Sequence, residues 1–262
     1  MTKINFLQQI IEEKKAFIEK QKNVQAKDEL SGLSIGKSRF KNILEKPGTH
    51  LIAEIKRASP SKGDLRPDLN IVDIASIYEK GGIELISVLA EEKFFKGSLA
   101  DLVEVKKNTS LSILCKDFII DETQIHQAKA HGADAVLLIA KILTNIQLKE
   151  MLDITKKLKM DAVVEVHDAV ELDRVLELGS DVDIIGINHR NLDDFKIDLN
   201  VSAKLLPKIP STKLVIAESG INSAEEIRQF KELCVNAVLV GESLMRENDI
   251  AKKISEFKQA LK

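Results

Sequence analysis

Short apolar runs alternate along this chain with longer segments of helical period, and no other feature restricts its fold as strongly. From Leu51 onward the runs are LIAEIK (51–56), ELISVLA (84–90), LSILCK (111–116), AVLLIA (135–140), AVVEVH (162–167), DIIGIN (183–188), KLVIAES (213–219) and AVLVG (237–241). Runs this short and this rich in Val, Ile and Leu read as strands covered on both faces. Between them lie amphipathic stretches such as NIVDIASIYEKGG, DETQIHQAKAHGAD, NIQLKEMLDITKKLKM, DAVELDRVLELGS and NSAEEIRQFKELCV. Several open on Asp or Asn and several end in Gly, the residues that cap helices.

About eight strand–helix pairs in roughly 210 residues predict an α/β fold of the (β/α)8 TIM-barrel type, with parallel strands. A doubly wound sheet would normally carry a glycine-rich fingerprint after its first strand, and the loop RASPSKGDLRPD has no GxGxxG. Residues 1–48 precede the repeat; FLQQIIEEKKAFIEKQ and SRFKNILEK have helical spacing and predict an N-terminal helical extension packed on the barrel. Residues 1–262 read as one barrel domain, DIAKKISEFKQALK being the eighth helix.

A formal net charge of -2 gives no global pull toward nucleic acid or an anionic membrane, so an anionic ligand must be met by a local cluster. Trp is absent and Tyr78 is the single tyrosine, which leaves no aromatic platform for a nucleic acid. The first residues lack the apolar core of a signal peptide and no run approaches a membrane span, so a cytoplasmic protein is expected. Cys115 and Cys234 fit neither a disulfide framework nor a metal site. Both read as buried, whereas His50, His126, His131 and the N-terminal lysines read as solvated.

Barrel active sites are built at the carboxyl ends of the strands. Here those ends offer Glu54 and Lys56, two apart and so on one face of the strand, then Lys116, Glu165, Asn188, Arg190, Glu218 and Ser219. Glu165 and Glu218 lie inside apolar strands, where an unpaired carboxylate costs several kcal/mol, so each needs a cationic partner or a raised pKa. AESGIN and VGESLMREND place Gly220, Gly241 and Ser243 after the seventh and eighth strands, at expected helix starts, where backbone N–H groups can hold a phosphate. Ser59 and Lys62 follow the first strand and can add contacts to an acidic ligand. His167 and His189 flank site residues, but no spacing suits a metal. By alternation His189 points away from the pocket and Arg57 faces outward.

The stretches IAEIKRASPSKG, EEKFFKGS, CKDFIID, GADAVLLIAKIL, EVHDAVEL, IGINHRNL, VIAESGI and GESLM, in this order, resemble the indole-3-glycerol phosphate synthases of tryptophan biosynthesis. The resemblance spans nearly all of residues 40–246, and its first motif is the most specific. It implies conversion of 1-(2-carboxyphenylamino)-1-deoxyribulose 5-phosphate to indole-3-glycerol phosphate with loss of carbon dioxide and water, without cofactor or metal. By similarity, Lys116 is the general acid for ring closure. Lys56 contacts the substrate carboxylate and helps in dehydration, Glu165 moves a proton in that late step, and Glu54 orients Lys56. Glu218 positions the substrate or a lysine, and Asn188 and Arg190 bind polar groups of the substrate. Ser59 and Ser219 add hydrogen bonds, Phe95 and Phe118 enclose the anthranilate ring, and Gly220, Gly241 and Ser243 lie near the phosphate.

The implied partner is a small phosphorylated molecule, with no nucleic acid and no membrane, and association with other tryptophan-pathway enzymes is left open. His189 stands where relatives more often carry Asn or Ser. A Schiff-base aldolase would place its lysine at the end of the sixth strand, which here reads GINHR. Phosphoribosylanthranilate isomerase would need a cysteine and an aspartate at the rim, and neither cysteine is placed for it. A phosphosugar-binding barrel without turnover would gain little from Glu165 among lysines. One activity is expected, since the chain stops after one barrel.

Overall fold

In the computed structural model, which describes residues 6–22 and 38–262, eight parallel strands close into a barrel in which every neighbour in sequence is a neighbour in space. The strands are β1 (His50–Ile55), β2 (Leu85–Leu89), β3 (Ser112–Lys116), β4 (Ala135–Ile139), β5 (Asp161–Val166), β6 (Ile184–Asn188), β7 (Leu214–Glu218) and β8 (Ala237–Val240). Closure comes from β8 pairing with β1, His50 beside Ala237 and Ala53 beside Val240. Each predicted run overlaps one of these strands, with both ends within one residue. Such shifts are normal, because pairing with neighbours rather than composition ends a strand.

Outward residues of the strands pack against the helical layer. Ile55, Val88, Cys115, Leu138, Val166, Ile187 and Val240 join Tyr78, Leu102, Ile125, Leu172, Ile227 and Phe257 in one apolar shell. Several helices between the strands are stopped and started by side chains. Asn70 caps α3 (Ile71–Lys80), Asp121 caps α5 (Glu122–Ala130) and Asp168 caps α7 (Ala169–Leu176), as their types predict. At α6 (Asn145–Lys157) and α9 (Ala224–Glu232) the cap is one residue away from the expected Asn. Thr144 with Gln147 and Ser223 with Glu226 form reciprocal capping boxes, which satisfy two backbone donors at once. Helix α11 (Ile250–Ala260) closes the repeat.

Cys234 departs from expectation. It has φ 58° in the left-handed position just past the end of α9, which turns its thiol to solvent while Val235 enters the core. Cys115 is buried as expected.

The N-terminal extension divides between the two ends of the barrel, and its residues 1–5 and 23–37 lie outside the described residues. Helix α2 (Phe40–Leu44) plugs the amino end: Phe40, Ile43 and Leu44 continue the apolar column of Ile52, Leu85, Leu114, Val163, Ile184 and Ile216 inside the barrel. Helix α1 (Phe6–Lys22) lies over the opposite mouth, and Leu7 and Ile10 end the same column there. Lys14 is on this face and is buried, against the expectation for N-terminal lysines. Its Nζ lies 2.6 and 2.8 Å from the two carboxylate oxygens of Asp117, next in sequence to Lys116.

Removing one partner of a buried ion pair strands the other charge and costs about 3 kcal/mol or more. Lys14→Ala is therefore expected to release α1. Amide hydrogen exchange should speed up over residues 6–22 while the barrel strands stay protected; unchanged protection in α1 would contradict this docking account.

Candidate active site

Because successive strand residues alternate between faces, the last inward positions of the strands converge on the barrel mouth. Four ionisable side chains there come from alternate strands: Glu54 from β1, Lys116 from β3, Glu165 from β5 and Glu218 from β7. Alternate strands supplying one layer is how a parallel barrel fills its interior. The intervening strands contribute neighbours in register, Ser87 beside Glu54, Leu89 beside Lys116, Ile139 and Gly186 beside Glu165, and Asn188 and Leu239 beside Glu218.

Lys116 is the centre of this layer. Its Nζ donates to Glu165 Oε2 at 2.9 Å and to Glu218 Oε2 at 2.8 Å, and both carboxylates are only 1% exposed. Burial opposes the charged lysine, but the attraction of Glu165, Glu218 and Glu54 outweighs it and raises the pKa above the ordinary lysine value. The two acids are driven apart. For Glu165, burial is countered by Lys116 and His167, which hold it below the ordinary carboxylate range. Glu218 is pushed up to about 7 by burial, and by repulsion from Glu165 and Glu54, against the pull of Lys116. One buried carboxylate is thereby kept ionised and the other partly protonated near neutral pH, a separation set by their surroundings.

Backbone space makes this packing possible. A Cβ at Gly186 would collide with Glu218 Oε1, and a Cβ at Gly241 would collide with Glu54 Oε1. Gly241 is therefore needed by the carboxylate beneath it. The only sequence signal for Gly186 is a glycine inside an apolar strand, which marks a close approach.

Lys56, just past β1, donates to Glu54 Oε1 at 2.7 Å, and Ser87 Oγ donates to Glu54 Oε2 at 3.2 Å. Asn188 is buried, and its Oδ1 accepts the N–H of Arg190 at 2.9 Å. The Arg190 guanidinium reaches Ser61 Oγ at 3.2 Å and lies 3.8 Å from Glu242, so it ties together the loops after β1, β6 and β8. Ser59 lines the same cavity, and its buried Oγ has no partner among the described residues. Phe95 and Phe118 form one apolar wall, their ring centroids 6.2 Å apart, and Phe6, Leu7 and Ile10 of α1 form another. The α1 wall accords with the place beside the active site that the family resemblance implies for the N-terminal helices, although nothing local in the sequence says where that helix docks.

Past β7, Ser219 (φ 69°) and Gly220 (φ 82°) are both left-handed and turn the chain sharply over the mouth. Gly220 is not at a helix start: α9 begins at Ala224, after its cap Ser223. Ser243 follows Gly241 past β8. It stands at the start of a short helix, as expected, but its Oγ donates to the carbonyl of Ile221 at 3.4 Å, and Gly241 and Glu242 are the residues of that turn that line the cavity. In the first turn of α10 (Glu242–Met245) it is Glu242 that faces the mouth, its charge met by Arg190 and Arg246.

Arg57 faces away as expected, paired with Asp101 of α4 (Leu99–Asn108) at 2.5 and 2.9 Å, and Lys62 sits on the exposed edge of the cavity. His189 also points away: its Nδ1 lies 3.0 Å from the Ser219 carbonyl and its Nε2 2.7 Å from Ser202 Oγ. His126 is exposed as expected. Among the described residues no helix is long and apolar enough to cross a membrane.

Comparisons with known proteins agree with the geometry. The family model described as indole-3-glycerol phosphate synthase matches residues 7–257. The indole-3-glycerol phosphate synthase of Thermoanaerobacter pseudethanolicus is 44% identical over 253 residues, covering 96% of each chain. That of Campylobacter jejuni subsp. doylei is 48% identical over 204 residues, 78% of each. Among solved structures, 3-hexulose-6-phosphate synthase from Salmonella typhimurium superposes with a TM-score of 0.62 at 16% identity, over 81% of this chain and 98% of that one, a likeness of fold alone.

Titration of Glu218 gives a test by stability. Its pKa, raised to about 7 in the folded state, lies above the unfolded value of about 4.3. Its contribution is full below the unfolded value and is lost as pH rises through about 7. The neutral isostere Glu218→Gln lacks this loss. Its melting temperature relative to the unaltered protein is expected to rise by several degrees between pH 5 and pH 8, and a constant difference would contradict the assignment. Gly186→Ala is expected to cost about 1–3 kcal/mol by overpacking, read as a lower denaturant midpoint.

Proposed function

The chain belongs to the indole-3-glycerol phosphate synthase family, and from that premise we propose which of its side chains carry each step of the reaction. It is a decarboxylating carbon–carbon lyase of tryptophan biosynthesis that converts 1-(2-carboxyphenylamino)-1-deoxyribulose 5-phosphate to indole-3-glycerol phosphate, carbon dioxide and water. The observation that carries the residue assignment is Lys116, a charged lysine held between two buried carboxylates at the barrel mouth.

In the first step the ring carbon bearing the carboxylate attacks the ketone of the sugar chain, and negative charge develops on the ketone oxygen. Lys116 stabilises that charge and gives it a proton, since an alkoxide is far more basic than an amine. The carboxylate then leaves as carbon dioxide, its bonding pair restoring the aromatic ring. Dehydration needs an acid to release the new hydroxyl as water and a base to take the remaining proton. Lys56, held by Glu54, serves the first need and Glu165 the second. Glu218, on the other side of Lys116, holds that lysine in place.

Binding follows from the walls. Phe95 and Phe118 with α1 enclose the anthranilate ring; burying so flat an apolar surface favours binding and excludes water. Asn188, Arg190, Ser59 and Ser219 meet the polar groups of the sugar chain, the unpartnered Oγ of Ser59 being a donor in want of an acceptor. The backbone at Gly220 and Gly241 holds the phosphate, helped by Lys62 and Arg190. No cofactor or metal enters this account. We read the chain as one barrel with its extension, working in the cytoplasm on a small phosphorylated molecule rather than on nucleic acid. A Schiff-base route is disfavoured because a lysine kept charged by two carboxylates has no lone pair for attack on a carbonyl.

Incubation with the carboxyphenylamino-deoxyribulose phosphate should yield the fluorescence of the indole product. Lys116→Ala is expected to lower kcat by about 10²-fold or more, the usual worth of a general acid. Equal rates for the two proteins would defeat the assignment of Lys116.

A further inference from the structure

One buried titratable side chain in contact with a site carboxylate has no step of its own. His167 follows β5, two residues beyond Glu165, and its side chain is 7% exposed. Its Nε2 lies 3.3 Å from Glu165 Oε1, the oxygen that Lys116 leaves free, and its Nδ1 lies 3.0 Å from Glu171 Oε2. Glu171 is itself fixed at the start of α7: the same oxygen accepts the backbone N–H of His167 at 2.8 Å, and its own N–H donates to Asp168 Oδ1 at 2.9 Å.

Carboxylates at both ring nitrogens favour the ring with both nitrogens protonated; the Nδ1 contact is a hydrogen bond, and the Nε2 contact an ion pair without hydrogen-bond alignment. Among the described residues Glu165 and Glu171 are the charged groups that face the ring, with Lys116 beyond Glu165. Burial disfavours the charged ring, but the two carboxylates outweigh it and raise His167 to about 9. Charges therefore alternate inward from the surface helix: Glu171, His167, Glu165, Lys116.

We propose that His167 is a positioning residue for the reaction, an imidazolium that keeps Glu165 ionised and turned toward Lys116 while Glu171 holds the ring in place. The proposal rests on the reaction assigned above. Its point lies in the first step: when the Nζ–H bond of Lys116 breaks and the proton passes to the forming alkoxide, Lys116 becomes a neutral amine and Glu165 loses that countercharge. His167 remains as the cation beside Glu165, so the carboxylate is still ionised when dehydration needs a base.

Two measurements on the full chain test this. Imidazole NMR titration, with the His167 signal identified by its loss in His167→Gln, should give a midpoint well above the ordinary histidine value of about 6.5, lowered in Glu171→Gln. A midpoint at or below the ordinary value overturns the imidazolium bridge. In steady-state kinetics His167→Gln should lose at least about tenfold in kcat with KM within about twofold, and the acid limb of its kcat profile should move to higher pH, because Glu165 has lost a favourable charge. An acid limb and kcat unchanged from the unaltered protein overturn the role. Should His167→Gln fail to fold, Glu171→Gln faces the same criteria, with a smaller shift in the same direction expected and an unchanged profile counting against the role. No turnover by the unaltered protein would overturn the reaction and this role with it; turnover with an unshifted variant overturns the role alone.

Discussion

A lysine ammonium held out of water between two carboxylates is the constraint around which the mouth of this barrel is arranged. Lys116, Glu165 and Glu218 come from three strands that are far apart in sequence, and only barrel closure brings their ends within hydrogen-bonding distance. Removing any one of them leaves a buried charge short of a partner. The surrounding residues relieve that problem: Gly186 makes room for Glu218, Gly241 makes room for Glu54, and His167 balances Glu165.

The same arrangement separates the protonation states of the two carboxylates. Two carboxylates beside one ammonium cannot both be held fully ionised, so burial and mutual repulsion fall on Glu218 while Lys116 and His167 protect Glu165. The pair titrates as a unit, and which carboxylate stays ionised follows from which has the second cation. The N-terminal extension then limits access by water. Phe6, Leu7 and Ile10 put apolar surface over the ions, and the Lys14–Asp117 pair ties that cover to the residue after Lys116. Docking of the cover and placement of the central lysine are thereby linked through two adjacent residues.

Much of this was legible before any coordinates. Alternation along a strand put Glu54 with Lys56, and separated Cys115 from Lys116, because side chains of a strand point to opposite faces whatever the fold. The same rule turned His189 and Arg57 outward, and both are found there. Where reading failed, a local rule met a nonlocal contact. Lys14 was taken for a surface lysine because a helix does not announce which part of the barrel it will cover. Cys234 was taken for core because the left-handed turn that exposes it is rare outside glycine.

By itself, then, the sequence determined the number and order of strands, the face on which each strand-end charge lies, and the family, since period and motif are properties of neighbours in the chain. Tertiary structure alone decided which charges share a proton, which glycines admit a carboxylate, and that α1 covers one mouth while α2 plugs the other. The reason is electrostatic and steric: a pKa, a collision and a docking face each depend on groups brought together through space, and no local pattern records that distance.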